Sequence, residues 1–134
     1  MTEKPLILLI EDEANTQDII SRKLQKRGYD TQAFGNGQDA LDWVTNGGKP
    51  DVVLMDIELP GINGIETTKY LRTIDSIAST PIIAVSANID YRQKADLDQA
   101  GFDMYCLKPL DYDKLFRMIT SCLQKRQQKT QVGA

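Results

Sequence analysis

Five short runs of mostly apolar residues divide this chain at regular intervals: PLILLI at 5–10, YDTQAF at 29–34, DVVLMD at 51–56, TPIIAVS at 80–86 and DMYCLK at 103–108. The first, third and fourth are nearly unbroken in Leu, Ile and Val, as in strands covered by helices on both faces. The segments between the runs have helical character. Residues 14–27 place Ile20 and Leu24 four apart and end in basic residues and Gly28; residues 37–46 carry Ala40, Leu41 and Val44 on one stripe before two glycines. Residues 64–74 give a mixed stripe of Ile65, Thr68, Leu71 and Arg72. Residues 89–100 offer only Tyr91, Ala95, Leu97 and Ala100, so this fourth helix is expected to be the least firmly packed. The last, 111–126, opens with Asp111 and Asp113 and repeats Leu115, Ile119, Cys122 and Leu123. Strict alternation with short connections predicts an α/β fold of (βα)5 form, a parallel sheet between two helical layers, in one domain over 1–126. Residues 127–134 read as a flexible tail or the start of a linker.

The third run ends on Asp56, where a buried carboxylate is costly without a partner or a task. Open parallel sheets bind ligands beyond the carboxyl ends of their strands. Those ends carry Glu11 and Asp12 after the first run, Asp56 at the third, Ser86 and Ala87 at the fourth, and Lys108 and Pro109 at the fifth. Three carboxylates at one edge repel one another unless a cation shares the site, and Mg2+, which takes few carboxylates and keeps waters for phosphate to replace, suits them. A lysine and a serine hydroxyl can hold further phosphate oxygens, and a carboxylate can be the nucleophile that forms an aspartyl phosphate.

Composition narrows the chemistry. Sixteen basic against 19 acidic side chains give a net charge of −3, which argues against nonspecific binding to nucleic acid or anionic membrane. The apolar run after Met1 stops at Glu11, too soon for a signal-peptide core or a span, so a cytoplasmic location is expected. Cys106 and Cys122 fit no metal spacing and read as buried or half-buried free thiols. There is no histidine, which removes serine–histidine and cysteine–histidine catalysis, most zinc sites and a phosphohistidine on this chain.

EDE at 11–13, VLMDIELPGINGIE, SAN at 86–88 and AGFDMYCLKP at 100–109 together resemble the receiver domain of two-component response regulators, the single-domain chemotaxis regulator included, over almost the whole folded chain. The resemblance implies a flavodoxin-like five-stranded sheet of order 2-1-3-4-5. It implies that Asp56 takes a phosphoryl group from a phosphohistidine on a sensor histidine kinase or a histidine phosphotransfer protein. Asp12, Asp56 and the backbone carbonyl of Glu58 would ligate Mg2+, with Glu11 assisting through water. Lys108 would contact the phosphoryl group, with the Lys108–Pro109 peptide cis. Ser86 would swing toward the phosphoryl oxygens, with Ala87 leaving its backbone room, and Tyr105 would turn inward with it. Pro60, Gly61 and Gly64 would shape the loop after Asp56. The output would be a changed face on the fourth helix, fifth strand and fifth helix, read by a downstream protein by a monomer or phosphorylation-dependent dimer. The chain would catalyse only its own phosphorylation and dephosphorylation.

Glu58 and Asn88, two residues beyond the acceptor and the switch serine, stand at positions that vary in the family and are expected to tune loss of the phosphoryl group. Simpler readings stand beside these: Ser86 and Asn88 as caps of the fourth helix, Tyr105 as a partly buried aromatic, and Glu11 and Asp12 as loop residues. Two other functions compete. A haloacid-type phosphatase also forms an aspartyl phosphate, but wants a second acid two residues on in a D-x-D pattern, where this chain has Asp56-Ile57-Glu58. A receiver-like binding module independent of phosphorylation would not need the full set of acids, serine and lysine.

Overall fold

The fold is described from a computed structural model covering residues 4–133. Five strands, β1 (Leu6–Ile10), β2 (Asp30–Phe34), β3 (Val52–Asp56), β4 (Ile82–Ser86) and β5 (Met104–Leu107), alternate with five helices, α1 (Ala14–Lys26), α2 (Gly37–Thr45), α3 (Gly64–Leu71), α4 (Tyr91–Ala100) and α5 (Tyr112–Gly133). The strands are all parallel, as their alternation with helices predicts, and lie in the order β2-β1-β3-β4-β5 that the receiver resemblance implies.

Successive strand residues point to opposite faces, so the aliphatic runs feed two cores. Leu8, Ile10, Val53, Met55, Ile82 and Ala84 pack with Ala40 and Val44 of α2, Leu71 of α3, and Leu97 and Ala100 of α4. Ile7, Leu9, Val52, Leu54 and Ile83 pack on the other side with Ile20 and Leu24 of α1 and with Leu115, Phe116 and Ile119 of α5. Cys106 and Cys122 are buried free thiols in this second core. Trp43, the chain's single tryptophan, lies over the β2 edge with its ring 6.1 Å from that of Phe34.

Each helix begins on a side chain that accepts from a free backbone amide. Asn36 accepts from Asp39, Asn63 from Glu66 and Asp90 from Gln93, while Glu13 accepts from both Asn15 and Thr16. The caps fix where each chain segment leaves the sheet and so where the strand-end residues lie.

Three boundaries depart from the sequence expectation. Helix α3 stops at Leu71, short of residue 74, because the Thr73 hydroxyl donates to the Tyr70 carbonyl and a single 3₁₀ turn follows at Asp75–Ile77. Helix α4 starts at Tyr91, where Asp90 caps it, so Ser86 and Asn88 are not its caps. Helix α5 runs to Gly133, past residue 126; QQKTQV contains neither Pro nor Gly and lets the helix continue where polarity alone suggested a tail. Residue 134 of that expected tail lies outside the described residues.

Among the described side chains of α4, Leu97 and Ala100 are the buried ones, in keeping with its poor apolar stripe. Its carboxyl end is held by other means. Gly101 takes the left-handed conformation at φ +105° and closes the helix through its amide to Leu97 and Asp98. Arg72, at the end of α3, donates from Nε (2.9 Å) and a terminal nitrogen (2.6 Å) to the Gly101 carbonyl, and from its other terminal nitrogen to the Thr80 carbonyl at 2.6 Å. The same guanidinium pairs with Asp103 at 2.9 Å, and Asp103 accepts the Ile82 amide at the start of β4.

Candidate active site

The β3–β4 and β4–β5 registers bring the functional ends together. Asp56 lies level with Val85, one residue before Ser86, and Ser86 lies level with Leu107, one residue before Lys108. The Lys108 amide donates to the Ser86 carbonyl at 2.8 Å, extending the ladder by one bond past β5. From the other side of β3, β1 delivers Glu11, whose amide donates to the Phe34 carbonyl at 3.0 Å. Sequence alternation thus becomes one cluster at the carboxyl edge of the three central strands and β5.

Glu11, Asp12 and Asp56 each bring a carboxylate oxygen within 4.8 Å of the others. Glu11 and Asp56 are 2% and 3% exposed, whereas Asp12 faces solvent and closes the cluster from outside. The Lys108 ammonium bridges the two buried acids, 3.0 Å from Glu11 Oε1 and 3.2 Å from Asp56 Oδ2. The other Asp56 oxygen, Oδ1, accepts the Glu58 amide at 2.9 Å. Three oxygen donors with an open, wet side suit a hard divalent cation that retains waters, so this donor set fits Mg2+.

Burial pushes the Asp56 carboxyl up to about 6, helped by the neighbouring Glu11 charge and opposed by the Glu58 amide and Lys108. Burial would also raise Glu11, but the Glu13 amide and Lys108 outweigh it and hold that carboxyl below its ordinary value. Lys108 is lowered by burial and raised more strongly by the two acids, so its net shift is upward. Of the two buried acids that share the Lys108 ammonium, Asp56 is therefore the less willing to be charged.

Gly64 explains why the loop after Asp56 can fold back so closely. A Cβ there would run into the Asp56 carbonyl and the Ile57 backbone, while the Gly64 amide donates to the Ile57 carbonyl at 3.1 Å. Gly61 in the same loop adopts φ +72°. The Lys108–Pro109 peptide is cis, as expected.

Residues 7–120 match the response regulator receiver domain family. The chain belongs to this family. A receiver relative is the polar-differentiation response regulator DivK of Brucella anthropi, 32% identical over 117 residues that make up 87% of this chain and 94% of that protein. The response regulator ArlR of Staphylococcus aureus is 36% identical over 124 residues, 92% of this chain but 54% of that protein, so this receiver spans about half of such a relative. Among solved structures, the receiver domain of a sensor histidine kinase from Pseudomonas aeruginosa PAO1, with magnesium coordinated in its active-site cleft, superposes with a TM-score of 0.83. It is 29% identical, over 90% of this chain and 98% of that one.

The receiver geometry gathers Glu11, Asp12, Asp56 and Lys108 as the sequence predicts, with Glu58 and Ser86 against them. Ser86 is fully buried, and Ala87 and Asn88 are exposed beyond it. Tyr105 is partly buried against the core of α2, α3 and α4, and its neighbour Leu107 is 55% exposed on β5. The sequence reading gives Glu58 a part in tuning loss of the phosphoryl group but names no partner for its side chain. The structure gives it a contact, since the Ser86 hydroxyl donates to Glu58 Oε1 at 2.8 Å. Strand pairing brings these positions together from 28 residues apart, and no local pattern announces it. Asp103 and Arg72, which brace α4 from behind, also went unremarked as a pair for the same reason.

No helix among the described residues is long and apolar enough to cross a membrane.

Proposed function

We propose that this receiver accepts a phosphoryl group on Asp56 from a phosphohistidine of a partner kinase or phosphotransfer protein, in the cytoplasm and with Mg2+. The observation that carries this is the Glu11–Asp12–Asp56 cluster bridged by Lys108 at the carboxyl edge of the sheet.

Glu11, Asp12, Asp56 and the Glu58 carbonyl would hold the metal, which supplies charge neutralisation for the equatorial phosphoryl oxygens. The chain's own groups do the positioning. The Glu58 amide and Lys108 hold the two Asp56 oxygens, so the carboxylate presents a fixed face to the incoming phosphorus. An Asp56 oxygen attacks phosphorus, the P–N bond breaks, and the imidazole nitrogen of the donor leaves and takes up a proton. Lys108 remains beside the transferred group as a counter-charge. Ser86, one register step from Asp56, is the nearest hydroxyl on β4 that can turn to a phosphoryl oxygen, and Tyr105 follows it from the adjacent β5.

The response is a shifted equilibrium at α4, β5 and α5. Two features support that location: α4 is thinly packed, and Leu107 is exposed on β5 beside it. The chain catalyses its own phosphorylation and dephosphorylation and acts on no other substrate. Partner kinase and downstream protein are both read through this face and the Asp56 edge.

Intact-protein mass spectrometry after incubation with acetyl phosphate, with and without Mg2+, tests the reading. A Mg2+-dependent adduct on the native chain and none on Asp56→Asn is expected. A folded, metal-binding chain that takes no phosphoryl group from acetyl phosphate or from a histidine kinase would point to a phosphorylation-independent binding module.

A further inference from the structure

We propose that the Glu58 carboxylate is a resting-state latch on the switch hydroxyl, holding the Ser86 proton until a phosphoryl group on Asp56 takes it. The inference rests on the phosphorylation reading above and adds a residue that positions Ser86.

The Ser86 oxygen has one proton to give and two acceptors in reach, Glu58 Oε1 at 2.8 Å and the Asn88 carbonyl at 3.0 Å. It can satisfy one at a time, and the charged acceptor makes the stronger bond. The same oxygen accepts the Asn88 amide at 3.2 Å, so its orientation is set from both sides. Ser86 is fully buried, whereas Glu58 is exposed. That asymmetry makes the bond releasable: once Ser86 turns away, Glu58 is rehydrated, and the hydroxyl finds its acceptor on the phosphoryl group.

Glu58 also reaches the acceptor itself, its amide donating to Asp56 Oδ1 at 2.9 Å. One residue therefore touches the phosphorylation site through its backbone and the switch through its side chain. A phosphoryl group must draw Ser86 out of the latched state, so apparent affinity for it falls by the fraction of molecules unlatched. Glutamine keeps a side-chain oxygen to accept from Ser86 and loses the charge; alanine loses both. Comparing the two separates a latch from simple repulsion between Glu58 and an anion.

The test uses beryllofluoride as the phosphoryl mimic at saturating Mg2+, with its apparent Kd measured by calorimetry on the native chain, Glu58→Gln and Glu58→Ala. Each is repeated with Ser86→Ala. Glu58→Ala is expected to bind about 3- to 10-fold more tightly than Glu58→Gln, and the gap is expected to close when Ser86 is alanine. Equal affinities for the two Glu58 variants, or a gap that survives Ser86→Ala, would overturn the latch.

A second measurement needs no ligand. In the free protein the Asn88 amide resonance is expected to shift in Glu58→Ala, as the Ser86 proton turns to the Asn88 carbonyl, and to stay near its native position in Glu58→Gln. An amide unmoved in both variants would overturn the latch even if beryllofluoride failed to bind. Failure of the native chain to bind beryllofluoride with Mg2+ counts instead against phosphorylation of Asp56.

Discussion

Arg72 places two of its nitrogens on a single oxygen, the carbonyl of Gly101, across 29 residues of sequence. The bond ties the end of α3 to the end of α4, and through Thr80 and Asp103 to the start of β4. Helix α4 is thereby fixed at its carboxyl end, and under the proposed function its amino end, nearer Ser86, is the end that responds.

Arg72→Ala should destabilise the protein by about 2 to 4 kcal/mol, since it strips several carbonyls and Asp103 of a shared donor. Arg72→Lys should recover less than half, because an ammonium cannot reproduce the planar fork. Urea unfolding would show this as a lower midpoint at unchanged slope; a midpoint within error of the native value would mean that water replaces the clamp.

Without metal, Asp56→Asn should stabilise the protein at pH 7. The Asp56 carboxyl titrates near 6 in the folded chain, above the ordinary value of 3.8, so the native state binds the extra proton between those two values. The Asp56 contribution to stability is then fully present below about pH 4 and is lost as pH rises to about 6. Asparagine avoids that loss, a gain on the order of 1 to 3 kcal/mol at pH 7 that vanishes near pH 4. Thermal unfolding of both proteins across this range checks the sign.

Magnesium should raise the melting temperature of the native chain by relieving the same repulsion. Stabilisation of about 2.7 kcal/mol is expected at 100 times the dissociation constant. Asp12→Asn should lose most of it while leaving metal-free stability nearly unchanged, because Asp12 is exposed. A melting temperature of the native chain indifferent to Mg2+ would remove the cluster as a cation site.

Gly64→Ala should cost about 1 to 3 kcal/mol and slow phosphorylation by acetyl phosphate. Its methyl group meets the Asp56 carbonyl and the Ile57 backbone, which have no flexible side chain to give way. The strand-end aspartate would move with them. Unfolding and phosphorylation rates measured on one preparation would show both effects.

The fold was legible because aliphatic runs covered on both faces, such as LILLI and VVLM, have few alternatives to a central parallel sheet. Asp56 and Lys108 were legible as charged residues ending such runs. What stayed hidden depends on pairing between distant segments. Glu58 meets Ser86 because β3 and β4 lie side by side, and Arg72 meets Gly101 because α3 and α4 end together. Helix ends were blurred for a local reason: Ser86 and Asn88 have side chains that can cap a helix, and only the backbone path shows that Asp90 serves instead.

Trp43 lies at the β2 edge, and the sheet order sets that edge farthest from β5, where Tyr105 and Leu107 lie. The protein's one indole fluorophore is therefore a clean optical gauge of unfolding and a poor one of signalling. A label on β5 would see what the tryptophan misses, and the two emissions together could separate a molecule that has switched from one that has come apart.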